Sequence, residues 1–127
     1  MYTQKQYDAV QAKIEEARAL KEDLKELRAE VRSAKKAERS ASTVLTHAER
    51  TLNGTEKGDA QYKDAKTLHQ NCKRDHSAAV KDHARAERAL NKAETRRSKL
   101  LADVVAFREK HGLSTRGPIP APPAKVA

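Results

Sequence analysis

Apolar residues recur through the first half of the chain at Tyr7, Val10, Ile14, Ala17, Leu20, Leu24, Leu27, Val31, Ala34, Ala41, Leu45, Ala48 and Leu52, at intervals of three and four. That spacing marks one face of an α-helix packed in a coiled-coil seam. From Leu24 onward the heptad is regular, and only Glu38 stands where an apolar residue is due. Ile14, Ala17 and Leu20 follow one another at intervals of three, a slip that locally overwinds a coiled coil. Thr3 and Gln6 have the spacing of a capping box, so the first helix is predicted over 3–53.

The second helix is predicted over 59–111, with Asp59 as its N-cap and Gly112 followed by Leu113 as its C-terminal stop. Its heptad runs unbroken. One seam row is Tyr62, His69, His76, His83, Leu90, Arg97, Val104 and His111; the other is Ala65, Cys72, Ala79, Ala86, Ala93, Leu100 and Phe107. Between the helices, 53–59 contains Gly54 and Gly58 and reads as a turn. All four prolines (Pro118, Pro120, Pro122, Pro123) follow the second helix, so 113–127 is predicted to be an extended or flexible tail.

The two seams fit each other when run antiparallel with paired residue numbers summing to about 117. Leu24 then faces Ala93, Leu27 faces Leu90, Val31 faces Ala86 and Leu45 faces Cys72, while Ala34, Ala41 and Ala48 face His83, His76 and His69. Large residues meet small ones in nearly every layer, as interdigitation requires. The flanks of this register match Lys21 with Glu94, Arg28 with Glu87, Glu49 with Lys66 and Asp23 with Arg96, all of opposite sign. The expected fold is all-α: two long helices forming an antiparallel coiled-coil hairpin over 1–112, with an extended Pro-rich tail over 113–127. A hairpin closed between two chains would use the same pairs.

Composition agrees with a thin helical object. There is no Trp, one Phe and three Tyr, and charged residues (35%) nearly equal hydrophobic ones (37%), so a thick core is excluded. The net charge of +9 is concentrated in 53–111, where 14 basic residues oppose 9 acidic ones, which biases the chain towards polyanions. Cys72 stands alone, so no intrachain disulfide forms. The N-terminus is polar, and the longest apolar run, Leu100 to Phe107, is broken by Asp103. A signal peptide or membrane span is therefore not expected, and the expected location is the cytoplasm or a virion.

Four features offer chemistry. His69, Cys72 and His76 share a face at i, i+3, i+7, a candidate zinc set, although zinc sites usually use closer paired ligands and filling space opposite alanines is the favoured role. Glu38 falls between the layers of His76 and His83, a candidate proton-sensing group. Lys81, Arg85, Arg88, Lys92 and Lys99 point away from the seam, a candidate contact for a phosphate backbone; without aromatics on that face, base stacking is not expected. At the open end of the hairpin, Tyr7, Val10, Ile14 and Phe107 join Leu101 and Val105, which lie off the seam, and this apolar surplus points to docking or self-association. In the tail, Pro120, Pro123 and Lys125 have the spacing of a polyproline ligand.

The chain lacks a phosphate-cradling glycine loop, an activated nucleophile and a concave site, so neither an enzyme, a cofactor nor a small-molecule substrate is expected. The expected role is structural: a helical hairpin that docks into a larger assembly through its apolar open end or tail, with a protein partner or a second copy. The alternative partner is nucleic acid, held nonspecifically by the outer face of the second helix.

Overall fold

The computed structural model describes residues 1–123. Helix α1 spans Gln4–Asn53 and helix α2 spans Ala60–Lys110, and their packing against each other makes an all-α helical hairpin. The helix ends follow from the residues at them. The Gln6 N–H donates to Thr3 Oγ1 (3.2 Å) and the Thr3 N–H to Gln6 Oε1 (2.8 Å), the reciprocal bonds of a capping box. At the start of α2 the Gln61 N–H donates to Asp59 Oδ1 (3.0 Å).

Helix α2 closes in a Schellman motif. The Leu113 N–H donates to Arg108 O (2.8 Å) and the Gly112 N–H to Glu109 O (3.3 Å), with Gly112 in the left-handed region at φ 62°. Between the helices, the Gly54 N–H donates to Arg50 O (3.0 Å) and the Asp59 N–H to Glu56 O (3.0 Å), so the turn consists of backbone loops that leave no long irregular segment.

The described residues form two compact units, one of residues 27–90 around the turn and one of residues 1–26 with those from 91 to 123. In the turn unit the buried seam residues are Ala48, Ala65 and Cys72, all small, while Leu45, Leu52, Tyr62, His69, His76 and His83 are half-buried. Small residues let the helices approach, but they remove little apolar surface from water.

The terminal unit buries more. Leu100, at 1% exposure, is its most enclosed large side chain, with Val10, Ala17, Leu24 and Val104 also buried. Every seam position predicted from the periodicity is buried or half-buried in its own unit, including Glu38 and Arg97.

The tail adds something that periodicity does not contain. Residues 113–123 have no helix, as the prolines require, yet they pack against the terminal unit. Ile119 is 2% exposed and joins Tyr2, Val10 and Val104 in one cluster, with Tyr7, Ile14, Phe107 and Leu113 packed around it. The Tyr2 hydroxyl donates to the carbonyl of Pro120. The Tyr2 ring lies 5.0 Å from both the Phe107 and His111 rings in edge contacts.

Arg108 clips the return: its Nη1 donates to Ser114 O (2.7 Å) and its Nη2 to Gly117 O (2.8 Å), and Gly117 turns the chain at φ 84°. Much of the open-end apolar cluster is thus core covered by the chain's own tail. Of the polyproline spacing, Pro120 has its carbonyl engaged by Tyr2, and Lys125 lies outside the described residues.

Replacing Ile119 by Ala is expected to destabilise the protein by about 2–5 kcal/mol, the usual range for truncating a fully buried Ile. Leu101→Ala, at an exposed position, is expected to change stability by less than about 0.5 kcal/mol. Urea unfolding followed by circular dichroism checks both; an Ile119→Ala variant as stable as the parent would mean that the tail does not stay seated.

Candidate functional site

Within the terminal unit, α1, α2 and the returning tail enclose a groove of about 800 Å³. Its floor is apolar: Ile14, Leu101, Val104 and Val105 from the helices, closed at one side by Pro118 and Ile119. The helical period explains the placement. Arg97, Leu101, Val105 and Arg108 lie four, four and three residues apart and share one stripe of α2, next to the seam residue Val104. Leu101 and Val105 remain 39% and 50% exposed, as their off-seam positions predict. The other residues of the predicted open-end cluster are placed differently: Val10 is buried, and Tyr7, Ile14 and Phe107 are half-buried against the Ile119 cluster.

The rim of the groove is basic. Arg18, Lys21, Arg97 and Arg108 line it, and no carboxylate does. Arg108 is committed to the tail carbonyls, and Arg97 donates through Nε to Ala17 O at 3.4 Å. Arg18 and Lys21 are exposed and carry no ion pair among the described residues. Neighbouring carboxylates are engaged elsewhere: Asp103 accepts from Lys13 Nζ (3.1 Å), and Glu16 takes Arg96 in a two-point pair, Nε to Oε1 at 3.0 Å and Nη2 to Oε2 at 3.2 Å. Hydrogen bonding to Glu16, and then the charge of Glu16, raises the Arg96 pKa above its ordinary value.

Sequence reasoning found Leu101 and Val105 but not the basic rim or the tail that forms one wall. A signal for the rim was present: Arg97 occupies an inward seam position between Ala93 and Leu100, where an arginine is out of place.

The flank pairs of Arg96 and Glu49 differ from those of the helical register. Arg96 takes Glu16 and not Asp23; Glu16 lies one heptad further along the same flank, and its side chain is one methylene longer, which permits two-point contact. Glu49 faces His69 (3.5 Å) in place of Lys66, and Glu87 lies 3.0 Å from His83 of its own helix. The cause is the seam itself. Opposite alanine, an imidazole reaches the nearest carboxylate without holding a long exposed Lys or Arg in one rotamer, which carries an entropic cost.

Glu38 lies 2.5 Å from His83 Nδ1, so the expected acid–histidine contact involves His83; no carboxylate pairs with His76 among the described residues. With Glu87 Oε1 3.0 Å from Nε2, a protonated His83 ring has a carboxylate at each nitrogen, although the Glu87 oxygen is out of hydrogen-bond alignment. His69, Cys72 and His76 do not form a metal-holding group: among the described residues no three His, Cys, Asp or Glu side chains converge in that way. A seven-residue interval separates the two imidazoles by about 10.5 Å along the helix, and Cys72 is buried in the seam.

Lys81, Arg85 and Arg88 in the turn unit are exposed, with Asp82 4.0 Å from Arg85; Lys92 and Lys99 in the terminal unit are exposed as well. Among the described residues no helix is long and apolar enough to cross a membrane. No family model, curated protein or solved structure matches the chain.

A double-mutant cycle tests the Glu38–His83 contact. Each single change to Leu is expected to cost about 1–3 kcal/mol, because a polar partner is left half-buried and unpaired. The double change is expected to recover most of that cost. Additive losses in urea titrations would show that the two side chains do not act as a pair.

Proposed function

We propose that this chain is a non-enzymatic assembly protein that seats a protein partner in the groove of its terminal unit. The observation that carries this reading is the continued exposure of Leu101 and Val105. The tail covers the rest of the apolar open end but leaves these two residues in water, side by side on one helical stripe. Single exposed apolar residues are ordinary; two adjoining ones on the floor of a groove mark a surface suited to contact. Val44, Leu68 and Val80 of the turn unit are exposed too, but do not line its grooves at Ser42 to Arg50 and Ser33 to Asp82.

The alternative of phosphate contact through Lys81, Arg85 and Arg88 rests on exposed charge alone, which is also the ordinary condition of a solvated helix face. Apolar contact is the reading with a shaped site behind it.

Photo-crosslinking residues at positions 101 and 105, with position 68 as an exposed apolar control, test the proposal in cells or extracts of the source organism. Discrete protein adducts from 101 and 105 but not from 68 are expected. Their loss on Val105→Asp in the position-101 probe would tie them to the groove. Absence of any adduct specific to the groove, or adducts that nuclease removes and that depend on Arg85 and Arg88, would overturn the reading.

A further inference from the structure

We infer that the groove takes an amphipathic helix whose edge is acidic; the inference rests on the docking reading above and adds the chemistry of the occupant. Charge is the first argument. The chain carries 18 carboxylates, yet none lines the groove, while four cations do. The carboxylates nearby are held by other cations, Glu16 by Arg96 and Asp103 by Lys13. Arg18 and Lys21 have no anionic partner among the described residues, and Arg97 has only a long contact from Nε to a carbonyl. An apolar floor beside three cations without carboxylates is complemented by a ligand with one apolar and one anionic face.

Shape decides between ligands of that kind. Arg97 and Arg108 at the two ends of the α2 wall are eleven positions apart, about 16 Å, or three helical turns. The floor is open, with Leu101 and Val105 still in contact with water, whereas a fatty anion favours a pocket that encloses most of its surface. An open trough of this length suits a helix laid along it through apolar residues at i, i+4 and i+7. A second copy of the chain is the poorer occupant, because a two-fold contact through this groove would set Arg18, Lys21 and Arg97 against themselves.

Selection from a display library of helix-forming random 16-residue peptides on the full chain makes the test independent of any guessed sequence. Enriched peptides are expected to carry net negative charge with apolar residues at helical spacing, and to bind more weakly as salt rises. Arg18→Glu with Lys21→Glu is expected to weaken the selected peptides by about tenfold, the equivalent of about 1.4 kcal/mol, and to shift a fresh selection towards basic sequences. Leu101→Gln with Val105→Gln is expected to abolish binding of the original set. Circular dichroism melts confirm that the variants are folded, which is expected because all four positions are exposed.

Enrichment of neutral or basic peptides, acidic winners indifferent to the charge reversal, or no enrichment at all would overturn the inference. So would a concentration-dependent doubling of mass in light scattering that the Leu101 and Val105 changes remove, since that would make a second copy the occupant. The two readings fail separately. Crosslinked partners whose binding ignores salt and the Arg18 and Lys21 reversal leave docking intact and remove the acidic helix. Acidic peptides that bind through the rim, without any crosslinked partner in the source, do the reverse.

Discussion

Two helices in contact along a narrow seam have only one interface between them, so most of the apolar surface on either side of it stays wet. Burial of Ile119 lifts that constraint at one end. By returning along the helices, the tail gives the terminal unit a third layer, and the larger side chains, Tyr2, Val10, Val104 and Phe107, gather where it sits. The groove depends on the same event, because Pro118 and Ile119 form its wall. The Schellman turn at Gly112, the clip from Arg108 and the left-handed Gly117 are the local devices that aim Ile119 back at the helices.

The turn unit solves the same problem in the opposite way. Its buried seam residues are small, alanines and Cys72 with imidazoles and a few half-buried leucines between them, so there is less apolar surface to cover, and imidazoles of the seam take part in its cross-helix polar contacts. Glu38 with His83 joins a carboxylate of one helix to a ring of the other, and Glu49 approaches the His69 ring to 3.5 Å out of hydrogen-bond alignment. Part-buried contacts of this kind contribute modest net free energy but are costly to break on one side only. Their value is in register: a seven-residue slip would leave each ring opposite a different partner.

The hairpin was legible in the sequence because its determinants are periodic or local. The heptads named the seam positions, and the capping box at Thr3, the cap at Asp59 and the stop at Gly112 named the helix ends to within a residue. Flank pairing was less legible, since a helical wheel counts charges by position and does not anticipate that half-buried histidines compete for the same carboxylates. The path of the tail was not legible at all. Prolines say that a segment is not helical, but a single isoleucine among them, with no period, gives no address for where it lands. The groove was half-read for the same reason: Leu101 and Val105 fall out of the heptad, whereas the wall facing them comes from a segment without a pattern.

The contact between Tyr2 and Pro120 joins residues 118 apart in the chain. Contacts near the turn close short loops, and each layer further out closes a longer one, so the loop-closure entropy is largest for the last pieces to meet. The groove is built from those pieces. It is complete only when both helix ends of the terminal unit have met and the tail has seated, and frayed ends present no site. Anything that binds there draws on the folding equilibrium of the terminal unit, and occupancy reports that its ends and tail have come together.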